Sequence, residues 1–323
     1  MDATNARAEV FPVGPPVTPE HQVGRLGDIE RVAEALRGGD HIVLSDVRRA
    51  GKSTVALGAL DLLGDDEPTP VIIALDLHER ISSSQQLATE IARQVALQRS
   101  RTAVAGFRIR RLAFRLWDRT RDISIPGVTD QEDALIAKGI VELISPDRDD
   151  VGNVAAALQG VERLAADRAT HAFVFIDEAQ ELAGWPDAIP LQSELKTRLR
   201  TVGRRTTFLF AGSHPSMMAR MFAQGGLLEY DGQHLKLSPL LEDLARDDLR
   251  RSFRELELDV ASRALDNFLI AAEGRPVRLM IAANKASRLA VETGQTLIDA
   301  ALAAQAIAEA RDDRFWNQGG PSR

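Results

Sequence analysis

The sequence predicts an α/β fold in which a five-stranded parallel sheet carries helices on both faces and is followed by a small all-helical domain. Two observations predict it. Up to Pro239, short apolar, β-branched runs alternate with stretches of helical periodicity, the pattern of strands buried on both faces and joined by crossover helices. Beyond Pro239 only helical periodicity remains, broken at Gly274 and Gly294.

Residues 1–20 read as a proline-rich segment, because Pro12, Pro15, Pro16 and Pro19 are too dense for a helix or a central strand. Ile29, Val32, Ala33 and Leu36 then fall at helical spacing, and Gly38 and Gly39 end that helix. His41–Ser45 is a short strand, and Lys52–Leu63 a helix. Val71–Asp76 is a second strand, followed by a helix over Ser84–Leu97 and a largely helical insertion over 98–168. Ala172–Asp177 and Thr206–Gly212 are further strands, separated by a helix over Leu191–Val202, and His234–Leu237 is a candidate fifth. The division this implies is a segment at 1–20, a core at 21–238, a helical domain at 239–312 and a polar tail at 313–323.

Composition excludes several functions. The chain has 323 residues and no cysteine, so disulfides and thiolate metal sites are ruled out, and a reducing cytoplasm is the expected location. The six histidines are scattered and suggest no zinc site. No run approaches the roughly 20 apolar residues that cross a bilayer. A net charge of −7 argues against a chain that coats nucleic acid by bulk electrostatics. The charge is uneven, with nine arginines against a single acid, Asp118, between Arg93 and Arg121. Basic residues are overwhelmingly arginine, a usage associated with GC-rich bacterial genomes.

The strand at His41–Ser45 runs into Asp46-Val-Arg48-Arg49-Ala50-Gly51-Lys52-Ser53-Thr54 and then a helix. Backbone N–H groups at such a helix start wrap phosphates, Lys52 reaches the outer ones, and the Ser53 hydroxyl ligates Mg2+. Asp46 occupies the place of the first glycine of the G-x-x-x-x-G-K-[ST] pattern. Asp tolerates positive φ, so the turn is expected to survive there.

The third strand, Ala172–Asp177, runs from five apolar residues into Asp177 and Glu178. A buried strand of this kind delivers carboxylates to the C-terminal edge of a sheet, where open α/β folds bind ligands. Asp177 is expected to hold the Mg2+ shell and Glu178 to polarise an attacking water. The fourth strand ends in Gly212-Ser213, where Ser213 either bonds the γ-phosphate or its water, or closes a plain turn before Pro215.

The stretch from Pro12 through Val23-Gly24-Arg25, the RRAGKST loop, FVFIDEAQEL and FLFAGSHPSMMARMF resemble the AAA+/STAND P-loop ATPases of the MNS-type clade, related to the replication-initiator ATPases. The resemblance covers roughly Phe11 to Met280. It implies ATP and Mg2+ as cofactors, Val23, Gly24 and Arg25 bordering the adenine, and Ser213 as a first sensor. It further implies that Gly274-Arg275-Pro-Val-Arg278 is a lid motif, with Arg278 the second sensor and Arg275 the alternate. Arg204 or Arg205 lies where related ATPases carry a finger that completes a neighbouring subunit's site, which points to a homo-oligomer. Relatives commonly carry a winged-helix module after the lid, for which Thr296–Trp316 is too short.

The segment Phe107–Trp117 interleaves arginines with apolar side chains. A helix packed on the core with a solvated arginine face is the plain expectation, and nucleic acid bound through Arg99–Arg121 the sharper one. Taken together, the residues point to a Mg2+-dependent ATPase acting as a nucleotide-driven switch. The alternatives are a hydrolysis-poor nucleotide scaffold or DNA-associated adaptor and, least favoured, a kinase.

Overall fold

The computed structural model describes residues 7, 10–13, 17, 21–78, 81–102, 130–200, 205–229 and 232–317. Arg204 and most of the Arg99–Arg121 stretch lie outside them. The elements run α1 (Leu26–Arg37), β1 (Ile42–Ser45), α2 (Lys52–Leu63), β2 (Val71–Asp76), α3 (Ser84–Thr102), α4 (Asp130–Leu143), α5 (Asp150–Asp167) and β3 (Ala172–Asp177). A 3-10 turn at Ala179–Gly184 leads to α6 (Ala188–Arg200), β4 (Thr206–Gly212), α7 (Pro215–Phe222) and β5 (Gln233–Leu235). Then follow α8 (Glu242–Glu255), β6 (Asp259–Val260), α9 (Ser262–Ala272), α10 (Pro276–Thr293), β7 (Leu297–Ile298) and α11 (Ala300–Arg311).

The five parallel strands lie in the order β2-β3-β4-β1-β5. Every residue of β2, β3 and β4 is buried, as a parallel sheet covered on both faces requires. Because all strands run one way, Ser45, Asp76, Asp177 and Gly212 end at one edge, with Asp76 beside Asp177 and Ser45 beside Gly212. Edge strand β2 is blunted by two buried glutamines of α3. Gln94 exchanges hydrogen bonds with the Ala74 amide and carbonyl (2.9 and 2.8 Å), and Gln98 with those of Ile72 (3.2 and 2.7 Å). Side chains thereby satisfy backbone groups that would otherwise invite another strand.

The chain forms two compact units. One comprises residues 1–30, 46–55 and 237–323, the other 31–45 and 56–236. Long-range bonds join the separate stretches of the first unit: Arg25 reaches the carbonyls of Ala50 and Ser238, and the Gly24 amide reaches Asp248. The second unit contains the sheet, with a core of Ile73, Leu75, Val95, Leu158, Val174, Phe208 and Phe210 among others.

The first unit departs from expectation in three places. It contains a short parallel pair, β6 with β7, where only helices were foreseen; two residues per strand leave no periodicity to detect. The N-terminal segment is not simply a tail, since Val10 and Phe11 are buried against α8–α10 and the Phe11 carbonyl accepts from Asn284 Nδ2 at 2.9 Å. Phe11 lies 4.9 Å from the Phe253 ring, which in turn stacks on Phe268. The presumed polar tail buries Trp316, with Phe315 packed beside it.

Replacing Phe11 by Ala should therefore destabilise the protein by about 3 kcal/mol, the usual cost of emptying a buried aromatic site. Urea denaturation measures it, and a change below about 0.5 kcal/mol would show the segment to be unpacked.

Candidate functional site

The loop between β1 and α2 has two left-handed residues, Arg49 (φ 66°) and Gly51 (φ 96°). The turn forms without Asp46 using the positive φ that its side chain tolerates. Asp46 instead turns its Oδ1 onto the Val47 N–H at 2.7 Å, which satisfies its carboxylate within the loop. Gly51 precedes the helix: its carbonyl accepts the Val55 N–H at 2.9 Å, closing the first turn of α2. The amides at such a start point along the axis, the geometry that receives anions. Lys52 is buried, and its Nζ donates to the carbonyls of Asp46 (2.9 Å) and Val47 (2.8 Å). The ammonium is thus held across the mouth of the loop. Thr54 Oγ1 accepts the Val17 N–H at 3.2 Å, tying the N-terminal segment to the helix start.

Arg25 clasps this loop. Only 4% exposed, it donates through Nη1 to Asp28 (2.9 Å) and to the Ser238 carbonyl, and through Nη2 to the Ala50 carbonyl (2.9 Å). Asp28 also accepts the Ser238 N–H at 3.1 Å. Val23 packs into the core near Leu240, and Gly24 (φ 64°) donates its N–H to Asp248 at 2.8 Å. A side chain at Gly24 would strike Leu240 at 2.7 Å.

The loop opens on a cavity of about 220 Å³ lined by Arg25, Asp46 to Ala50, Leu237 to Pro239 and Gly274 to Val277. Two buried donors on its walls, Arg25 Nε and Arg275 Nη1, have no hydrogen-bond partner. Unpartnered buried donors are costly, and here both belong to guanidinium groups that line one cavity with the loop. Burial holds the Arg49 guanidinium below its ordinary pKa; Arg48 and Arg314 add like-charge repulsion, which Asp313 opposes.

Arg275, rather than Arg278, lines this cavity. Arg278 is committed elsewhere: its Nε donates to the Trp316 carbonyl at 3.0 Å, its Nη1 to Glu273, and it lines a separate cavity with Arg311 and Asn267. Arg275 is the N-cap residue of α10, still extended at φ −102°, whereas Arg278 sits inside the first turn. Arg205 is exposed.

The sheet unit supplies the acids. Asp177 is 4% exposed, and its Oδ1 accepts the Glu178 N–H at 3.0 Å. Glu178 is left-handed (φ 52°), a strained position for a residue with a Cβ. Its Oε2 accepts from Ser213 Oγ (2.6 Å), the Ser213 N–H (3.2 Å) and Gln180 Nε2 (2.6 Å). The Glu178 carboxylate and Ser213 are therefore one hydrogen-bonded group. Asp76 ends β2 beside Asp177, with its Oδ1 on the His78 N–H at 3.0 Å. Sequence reasoning passed over Gln180 and Asp76. The run VIIALD carries the same apolar-then-acid signal as AFVFID and could have revealed Asp76.

The structure resembles the Walker-type ATPase PABY2304 of Pyrococcus abyssi, with a TM-score of 0.60 and 17% identity over 93% of this chain and 75% of that one. It also resembles the ORC1 protein of Aeropyrum pernix in complex with DNA, at 0.60 and 14% over 95% and 70%. The ORC2 protein of the same organism, in ADPNP-ADP complexes, gives 0.57 and 15% over 94% and 71%. The fold is that of the AAA+ ATPases. At these identities the likeness is one of fold. No family model matches the chain. No curated protein matches it either. Among the described residues no helix is long and apolar enough to cross a membrane, and no group of acids and histidines forms a ready metal site.

Removing the clasp should be costly. Arg25→Ala leaves the Asp28 side chain, 2% exposed, without its cation, for a loss of about 3 kcal/mol. Adding Asp28→Ala should recover part of it; a double-mutant cycle by urea denaturation that gives strictly additive losses would show that the pair does not couple.

Proposed function

We propose that this chain binds Mg2+-nucleotide at the loop Asp46–Thr54, hydrolyses ATP, and uses the bound phosphates to bias its C-terminal helices. The observation that supports it best is the cavity of about 220 Å³ where the loop, Arg25 and Arg275 meet, with two buried guanidinium nitrogens lacking acceptors. Phosphate oxygens are the acceptors such nitrogens fit.

In this function the amides that open α2 cradle the phosphates, Lys52 leaves its loop carbonyls for the outer phosphate oxygens, and Ser53 and Asp177 hold Mg2+. The metal supplies charge neutralisation at the transferred group when bound. Glu178 orients and deprotonates the attacking water. Ser213 donates to the same carboxylate oxygen, so a phosphate that recruits Ser213 alters the bonding of the base. Arg275 is the lid arginine: it caps α10, so a bond from its guanidinium to phosphate pulls on the helix that carries the C-terminal core. Val23, Gly24 and the apolar wall near Leu237 and Val277 border the base.

One observation favours the second reading, a nucleotide scaffold that hydrolyses little. Three donors already converge on Glu178 Oε2, which stabilises a carboxylate that is not acting as a base.

An ATPase assay paired with calorimetry separates the two. Lys52→Ala should weaken Mg2+-ATP binding at least about tenfold, and Glu178→Gln should keep binding while lowering kcat by about 10²-fold or more. Tight binding with no turnover in the wild-type protein would establish the scaffold; no uptake of Mg2+-ATP at all would overturn both. Arg275→Ala, with Arg278→Ala as its comparison, should be the variant that loses turnover. The reverse order would return the sensor role to Arg278.

A further inference from the structure

Past α11 the chain turns back onto the phosphate loop. Two tight turns form, with the Phe315 N–H donating to Asp313 Oδ1 (2.9 Å) and the Trp316 N–H to the Asp313 carbonyl (3.0 Å). Trp316 is only 5% exposed, and its carbonyl accepts from Arg278, whose guanidinium also lies 5.3 Å from the indole ring. Phe315 is set between two cations. The Arg49 guanidinium carbon lies 3.7 Å from the ring centroid and that of Arg314 lies 4.3 Å from it.

Arg49 belongs to the phosphate loop, two residues before Gly51, and is held at a left-handed φ of 66°. A residue with a Cβ keeps that conformation only where its surroundings enforce it, and such positions concentrate at switches. A guanidinium laid on a ring face is attracted weakly, whereas a guanidinium gripping phosphate oxygens makes charge-assisted hydrogen bonds that are considerably stronger. The two uses compete for one side chain. Arg314, on the ring and close enough to repel Arg49, makes the ring the weaker partner still.

We propose that Phe315 is a built-in competitor for Arg49: the ring ties residues Asp312–Trp316 to the phosphate loop, and a nucleotide phosphate takes Arg49 from it and loosens that segment. The C-terminal segment thereby reports nucleotide occupancy to whatever reads its aromatic pair, and it holds nucleotide affinity below what the loop alone would give. This rests on the nucleotide function proposed above and adds to it a regulatory element outside the motifs that suggested it.

The test uses Phe315→Leu, which keeps an apolar side chain against the core while removing the π face, so that folding is preserved. Calorimetric titration with Mg2+-ADP should give a Kd lower by roughly threefold to tenfold than wild type. In a Trp117→Phe, Trp185→Phe background, Trp316 is the sole tryptophan of the three, and its emission should shift to the red on nucleotide binding. Binding by the variant with none detectable in wild type would be the strongest form of the same result. Equal or weaker binding by Phe315→Leu overturns the competition while leaving the nucleotide site in place. A Trp316 spectrum unchanged at saturating nucleotide overturns the release. If neither protein takes up nucleotide, the nucleotide function falls and the latch with it.

Discussion

Taking a guanidinium out of water costs several kcal/mol unless its charge and its N–H groups find partners. Arg25 is almost wholly buried and meets that demand with a carboxylate from the helix it precedes, the Ala50 carbonyl from the loop after β1 and the Ser238 carbonyl from the chain that leaves β5. Each partner is useful only while the others are in place. The entry segment, the loop and the start of the C-terminal region are therefore conditional on one another, which is why residues so far apart in sequence cluster as one compact unit. What remains of Arg25, its Nε, is left at the cavity wall, 3.5 Å from where a side chain at Gly51 would begin. A clasp that shapes the loop also leaves a donor at the cavity wall.

The sheet imposes a second constraint. Parallel strands end together, so Asp76, Asp177 and Gly212 reach one edge without any dedicated loop to arrange them. The turn after β3 is left-handed at Glu178, which brings its carboxylate onto Ser213 and Gln180. A base held this way is ordered but occupied. Ser213 and Glu178 then belong to one hydrogen-bonded group, and a change at Ser213 is felt at Glu178 at no further distance than one bond.

The strands, the loop and the acids were legible because each is a local pattern: a run of apolar β-formers, then a change of residue type where the strand ends. Asp76 was equally legible and passed over. Other features were not legible. Arg275 and Arg278 lie three residues apart at a helix start, a spacing that puts both on one face in a pure helix. The cap geometry separates them, one extended ahead of the first turn and the other within it. Asp46 stands at the glycine position of the motif, yet the turn places its left-handed residues at Arg49 and Gly51.

By itself the sequence determined the sheet, its helices and the positions of the loop and the strand-end acids, since strand and helix periods and a strand-loop-helix motif are properties of neighbouring residues. Tertiary structure alone decided that Phe11 and Trp316 are core rather than tail, that Arg275 faces the loop, and that Phe315 lies on Arg49. Each of those facts is a contact between residues distant along the chain. Proline content and polar composition disguise such contacts, because burial depends on which surfaces meet and not on the company a residue keeps in sequence.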